Sequence, residues 1–290
     1  MFQITIPATQ SGTETAEEAL LELGALSVTL TDAADHPLLE PLPGEVPLWP
    51  ELLVTGLFAD EIDAAPLTMC LAERLGLPAE RIHQELLPER EWTRAWMDNF
   101  GPMRFGQRLW IVPTGFELPD PAAVNLVLDP GLAFGTGTHP TTSLCLEWLD
   151  GHPPQGALVV DYGCGSGILA LAAIKLGARQ AWAVDIDAQA LSATRANMEK
   201  NALGANSIIT AAPEELPSLQ ADLVVANILS GTLVALAPKL TALVKPGGRI
   251  LLSGILSSQA AEVAAAYSPA FDMTHPVERE GWALLHGTRR

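Results

Sequence analysis

Three short stretches of this 290-residue chain combine residue types and spacings that could hold a ligand and act on it. The first is Val159-Val160-Asp161-Tyr162-Gly163-Cys164-Gly165-Ser166-Gly167, where an apolar strand breaks into a glycine loop and an alanine-rich helix follows from Ile168. Glycines let backbone approach a ligand closely, and the helix behind them aims free N–H groups and a positive dipole end at the same place. The spacing Gly163-x-Gly165-x-Gly167 is not the dinucleotide fingerprint, because Ile168 stands where its last glycine belongs. The second stretch ends on Asp185, about twenty residues on at the close of the next apolar strand, where a carboxylate can accept from both hydroxyls of a ribose. Asp187 suits the cap of the following helix. The third is Asn227, which ends the apolar run Leu223-Val224-Val225-Ala226. A buried amide is costly without partners. Either Asn227 tolerates a tight turn there, or it offers its side-chain carbonyl, with nearby backbone carbonyls, to an amino group. Position alone leaves both readings open.

These residues need a scaffold that gathers strand ends. From residue 157 onward the pattern alternates: strands at 157–160, 181–184, 207–211, 222–226 and 249–253, with helices after Gly167, at 188–201 and at 233–243. A turn is expected at Pro246-Gly247-Gly248. Such alternation predicts an α/β architecture, a doubly wound and mostly parallel sheet, with ligands at the carboxyl ends of strands near the switch point. Segments near 273–277 and 282–286 are expected to close the sheet as an antiparallel pair. Upstream, 109–113 and 124–128 read as strands. They lead into Gly131-Leu132-Ala133-Phe134-Gly135-Thr136-Gly137-Thr138-His139-Pro140-Thr141-Thr142, with Pro140 suited to the first position of a helix over 142–149.

The first 88 residues follow another plan. Strands at 2–6, 27–31, 52–58 and 82–86 and helices at 14–23 and 66–75 give the order β-α-β-β-α-β of a small ferredoxin-like α+β domain. The proline-rich stretch 37–50 is irregular. The domain as a whole holds no cluster of His, Cys or paired acids, so it reads as a binding or positioning module. Residues 89–100 place Trp92, Trp96 and Phe100 at i, i+4 and i+8, the aromatic face of a short helical linker. The second domain is then 101–290.

Composition narrows the function. Hydrophobic residues make up 48% of the chain, enough for two cores, yet no run is long enough to span a membrane. The N-terminus alternates like a strand and lacks the pattern of a signal peptide. Cys70, Cys145 and Cys164 share no pair spacing, which argues against disulfides and zinc and for a cytoplasmic protein. A net charge of −18 argues against nucleic acid, which needs a basic surface. The excess is uneven: residues 1–90 hold sixteen Asp/Glu against three Arg. That surface is either merely solubilising or a docking face for a basic partner.

Taken together, Asp-Tyr-Gly-Cys-Gly-Ser-Gly, Val-Asp-Ile-Asp and Val-Val-Ala-Asn-Ile-Leu resemble a class I S-adenosylmethionine-dependent methyltransferase. The stretch 131–142, joined to Asn227-Ile228-Leu229 and the acidic first domain, is more specific. Over essentially the whole chain it resembles the bacterial ribosomal protein L-eleven methyltransferase family. The resemblance implies that the small domain binds the basic ribosomal protein, that a linker joins it to the catalytic domain, and that lysine side chains and the N-terminal α-amine are trimethylated by a monomer. It also implies S-adenosyl-L-methionine contacts at Thr142, Gly163, Asp185 and Asn227, with Gly165 and Gly167 in the same loop and Asn227 beside the reacting methyl. Residue chemistry agrees for Gly163, Asp185 and Asn227. A hydroxyl at 142, in the first turn of a helix, would otherwise only cap it. Phe134 and His139 are left without a catalytic role.

Methyl transfer to an amine is an in-line displacement that needs a neutral nucleophile, and free lysine, with a pKa near 10.4, arrives mostly protonated. Burial beside a sulfonium lowers that value. The protein then has to hold the remaining N–H bonds and aim the lone pair, which suits Asn227 and the carbonyls of residues 227–229. No dedicated strong base is evident, so placement carries the rate. Three competing readings fit less well. A nicotinamide oxidoreductase lacks its third glycine and a Tyr-x-x-x-Lys site, a non-catalytic adaptor would not need Asp185 and Asn227 intact, and RNA or DNA methylation conflicts with the charge.

Overall fold

The computed structural model describes residues 1–34, 48–87, 101–129 and 137–290, which fall into two compact units, Met1–Ala95 and Trp96–Arg290. Most of the proline-rich stretch, the linker segment 89–100 with its aromatic face, and Phe134 with its neighbours lie outside the described residues.

In the first unit, β1 (Phe2–Thr9), α1 (Thr13–Glu22), β2 (Ser27–Asp32), β3 (Glu51–Phe58), α2 (Ala64–Leu75) and β4 (His83–Leu86) follow the expected β-α-β-β-α-β order. The sheet runs β2-β3-β1-β4 with every pair antiparallel. Alternation in β1 explains its central place: Phe2, Ile4 and Ile6 all point into a core completed by Ala19 and Leu20 of α1 and Leu67 and Leu71 of α2. Asp63 caps α2 through Ala65 N (3.1 Å), and Gly76 ends it at φ +64°.

The second unit opens with a three-stranded sheet, β5 (Met103–Phe105), β6 (Leu109–Val112) and β7 (Val124–Val127). There follow α3 (Pro140–Gly151), β8 (Leu158–Tyr162), α4 (Ile168–Lys175), β9 (Gln180–Val184), α5 (Ala188–Lys200), β10 (Ile208–Ala211), β11 (Ala221–Asn227), α6 (Ser230–Leu243), β12 (Val244–Leu256), α7 (Ala260–Tyr267), β13 (Phe271–Met273), β14 (Val277–Arg279) and β15 (Trp282–Arg289). The large sheet runs β10-β9-β8-β11-β12-β15-β13, with β14 also paired to β15. The first five strands are parallel, and β15 runs antiparallel to both β12 and β13. The order reverses between β8 and β11, which is the switch point the alternation predicts.

Both faces of this sheet are buried, so its strands are apolar at every position rather than every second one. Val159, Leu223 and Val225 join the side covered by α3, α4 and α5, while Val160, Val224 and Ala226 face α6 and α7. Two expectations are corrected, and two elements are new. Two elements, β5 and α7, were not legible: β5 has only three residues, and α7 is an alanine-rich segment whose apolar stripe is no narrower than its surroundings. The expected strand near 273–277 is two short strands instead, separated by Thr274-His275-Pro276, where Pro276 has no N–H for a ladder. The expected turn at 246–248 is an irregularity inside β12, where the register against β11 jumps between Ala221/Val244 and Leu223/Arg249.

Candidate active site

The glycine loop hangs on the end of the neighbouring strand. Gly163 N and Cys164 N both donate to Val184 O (2.7 and 3.0 Å), and Gly167 N closes back on Cys164 O at 2.8 Å. Gly163 sits at φ +81° and Gly167 at +78°, conformations that L side chains rarely adopt. Gly163 is also needed for space, since a Cβ there would stand 2.3 Å from Ile228 Cγ2. From behind, helix α5 braces the loop with buried polar groups. Thr194 Oγ1 donates to Gly165 O (3.1 Å) and Asn197 Nδ2 to Ser166 O (2.9 Å). Asn201, one turn further, ties α5 to Val127 of β7 through both backbone groups (2.8 and 2.7 Å).

Two carboxylates flank the loop. Asp185, at the end of β9, accepts from Gly165 N (2.9 Å) and Asp187 N (3.0 Å), which fixes its orientation and leaves lone pairs on both oxygens. Asp187 caps α5 through Gln189 N at 2.8 Å, the role its position suggested. Ile186 between them is 89% exposed, an apolar side chain standing in solvent beside the loop. Asp161 is different. It is 1% exposed; Oδ2 accepts from Ala170 N (2.9 Å), but Oδ1 is buried with no hydrogen-bond partner among the described residues. Burial pushes its carboxyl up to about 7, the Ala170 N–H opposing and the nearby Asp185 adding to the rise.

The third strand end stands beside the first. Val225 of β11 is in register with Asp161 of β8, so Asn227 lies level with Gly163. Its Nδ2 donates to Thr142 Oγ1 across 3.2 Å. Thr142 is buried in the first turn of α3, yet the helix cap is His139, whose Nδ1 meets Thr141 Oγ1 (2.7 Å) and N (3.4 Å). The His139 ring packs edge-on against Trp282 with centroids 4.6 Å apart, and burial lowers its pKa while Glu280 acts the other way. The turn after Asn227 is seated from below: Ile228 N donates to Ser253 O (3.1 Å), and a Cβ on Gly254 would stand 2.5 Å from Ile228 O. Leu229 is 58% exposed.

All six residues singled out from the sequence, Thr142, Gly163, Gly165, Gly167, Asp185 and Asn227, therefore meet at one carboxyl edge formed by β8, β9 and β11. Sequence reasoning passed over Thr194, Asn197 and Asn201, although polar residues at i, i+3 and i+7 facing inward are a legible signal. It took Asp161 only as a strand-end suspect with the glycines, and the isolation of its Oδ1 emerges only in the fold. Among the described residues no group of three His, Cys, Asp or Glu could hold a metal, and no helix is long and apolar enough to cross a membrane.

Comparison with known proteins follows the same lines. Residues 1–290 match the family described as Ribosomal protein L11 methyltransferase (PrmA). The chain is 54% identical over 289 residues to the ribosomal protein L11 methyltransferase of Pseudomonas aeruginosa PAO1, covering 100% of this chain and 98% of that one. It is 52% identical to that of Pseudomonas fluorescens SBW25, covering 100% and 99%. Among solved structures, the ribosomal protein L11 methylase from Lactobacillus delbrueckii subsp. bulgaricus superposes with a TM-score of 0.59 at 30% identity, covering 66% of this chain and all of that one.

Proposed function

The chain belongs to the ribosomal protein L11 methyltransferase family, and from that premise we propose that it methylates lysine side chains and the N-terminal α-amine of L11 at the edge where β8, β9 and β11 end. It is an S-adenosylmethionine-dependent protein methyltransferase. The observation that carries the site reading is the hydrogen bond between Asn227 and Thr142, made by a residue level with Gly163 in a loop where neither Gly163 nor Gly167 has room for a Cβ.

The residues fit the methyl donor. The loop of Gly163, Gly165 and Gly167, all at positive φ, presents backbone without side chains to its methionine portion, and Asp185 has lone pairs for the ribose hydroxyls. Ile186 offers exposed apolar surface beside that carboxylate for the adenine. The unpartnered Oδ1 of Asp161 is a buried acceptor at the head of the loop, where a cation would offset its isolation. When bound, the donor supplies a methyl group on a sulfonium.

The chain's own contribution is to bind and aim. With its NH₂ held by Thr142, Asn227 has its carbonyl oxygen to offer the N–H bonds of the incoming amine. Backbone carbonyls of the 227–229 turn complete that acceptor set. The amine must arrive neutral, and proximity to a positive charge lowers its pKa toward that state. Fixing Ile228 between Gly163 and Gly254 holds the turn rigid, so placement rather than a strong base supplies the rate.

The acidic first unit is the surface that meets the basic substrate, with Glu14, Asp60, Glu61, Glu73, Glu80 and Glu85 among its charges. On this reading the enzyme works in the cytoplasm as a monomer and touches no nucleic acid. The test is Asn227→Ala with labelled S-adenosylmethionine and purified L11, where turnover should fall by roughly a hundredfold. Undiminished turnover, or label entering RNA instead, would overturn the assignment.

A further inference from the structure

We infer that Arg279 is a positioning residue for methyl transfer: through its ion pair with Glu147 it fixes helix α3, and with it Thr142, against Asn227. The inference rests on the site reading above and extends it to a part of the fold that touches neither donor nor amine.

The geometry begins in the hairpin β14–β15. Its turn is Glu280-Gly281, both at positive φ (+51° and +78°), with Arg279 and Trp282 paired across it. Two central residues of this conformation make the tight turn whose twist matches that of the flanking strands, so the pair beside the turn is rigidly held. Each member of that pair grips α3. Arg279 binds Glu147 through two parallel bonds, Nη1 to Oε1 (2.9 Å) and Nη2 to Oε2 (2.8 Å). Trp282 packs its ring against His139, the residue that caps α3. Eight residues separate His139 from Glu147, about 12 Å of helix, and Thr142 lies between them. The hairpin tip is itself bonded to the sheet, since Trp282 pairs with Leu256 of β12 just beyond the glycine that seats Ile228.

A bidentate guanidinium–carboxylate pair specifies direction as well as distance, which a point charge or an apolar contact does not. The other contacts of α3 lie on its core face and at its far end. Leu144, Cys145, Leu146 and Leu149 bury an apolar face that resists removal from the core. Asp150, eight residues beyond Thr142, accepts from Gln107 N (2.6 Å) and meets Arg108 Nε through a single longer contact (3.4 Å), while Arg108 Nη2 donates to its backbone O (2.9 Å). Apolar contacts oppose sliding and rotation weakly. The two-pronged bond opposes both, at a point five residues from Thr142. Because the pair is about one-third exposed on each side, it adds little to stability. Its effect should therefore appear in turnover rather than in folding.

The experiment uses the full chain with S-adenosylmethionine and L11. Arg279→Met, which keeps the side chain's stem, should lower kcat by roughly tenfold while leaving the KM for L11 and the melting temperature unchanged. Exchanging the partners, Arg279→Glu with Glu147→Arg, should restore most of the loss. Glu147→Gln serves as a second variant should Arg279→Met fold poorly, with the same expected fall in kcat. Wild-type kcat in these variants while Asn227→Ala is inactive would overturn the inference and leave the site reading standing. A fall in kcat that tracks melting temperature, without recovery on exchange, would make the pair merely structural and overturn it as well. An active Asn227→Ala would remove the site reading and this inference together.

Discussion

The two halves of the site are made of different material. Around β8 and β9 the groups proposed to face a ligand are chiefly a backbone loop beside the Asp185 carboxylate: Gly163 N is tied to Val184 O, Gly165 N to Asp185 and Gly167 N to Cys164 O. Buried side chains of α5 serve only to hold that backbone in place. Around β11 and α3 the facing groups are side chains, an amide and a hydroxyl bonded to each other. Backbone carries no record of residue type, so the first half is built to recognise a donor that many enzymes share. The second half can be altered one atom at a time, which suits the part that chooses the amine. The difference predicts opposite sensitivities. The loop should tolerate changes of polarity but no added carbon, and the acceptor edge should tolerate changes of volume but no lost oxygen.

Adding one carbon to the loop is the largest test. In Gly163→Ala the new Cβ would press on Ile228 Cγ2, on a residue held at φ +81°. The left-handed conformation alone costs an L residue roughly 1–2 kcal/mol. With displacement of Ile228 the donor's affinity should fall by about a hundredfold, or about 2.7 kcal/mol. Titration calorimetry with S-adenosylmethionine reads it directly. Adding Ile228→Ala should recover the share due to contact and none of the share due to φ. Wild-type affinity in Gly163→Ala would break the distinction between the halves, because the loop would then accept a side chain.

Asp161 is a buried carboxyl at the head of the loop, and it sharpens the comparison through pH. Its carboxyl is raised to about 7 in the fold from the ordinary 3.8, chiefly by burial. The folded chain thus holds the proton more tightly than the unfolded one. Its stability contribution is fully present below about pH 4 and is lost as pH rises through about 7, by at most about 4 kcal/mol. Asp161→Asn removes the titration. Calorimetric melting of the ligand-free protein should show the wild type losing stability relative to Asp161→Asn between about pH 4 and about pH 8. Parallel curves across that window would mean the buried Oδ1 is satisfied after all.

The difference in material also decides what the sequence could disclose. Glycine spacing, Asp185 and the apolar strands were legible because each rule is local: a residue type, a distance along the chain, a period. The doubly wound sheet followed from alternation, and the small domain from its β-α-β-β-α-β order. Asn227 stayed ambiguous because its meaning depends on Thr142, eighty-five residues away, and no local rule joins them. Thr142 entered only through family resemblance. Asp161 reads on paper as one more polar residue at a strand end, and its orphaned oxygen exists only once α4 has closed over it. Likewise Arg279 and Glu147 become partners only when the last hairpin reaches α3.

Removing one oxygen from the acceptor edge is the smallest test and the complement of the first. Thr142→Val keeps the shape of the side chain and deletes the hydroxyl that accepts from Asn227. The amide loses a neutral hydrogen bond of about 1 kcal/mol net. It becomes free to rotate away from the geometry an amine would need. A fall in kcat/KM of about fivefold is expected, with Thr142→Ser, smaller but still hydroxylic, close to wild type. Steady-state kinetics on L11 distinguishes the two variants. If valine and serine fell equally, volume rather than the oxygen would matter at 142. The acceptor edge would then be governed by packing, as the loop is, and the contrast between them would reduce to one of degree.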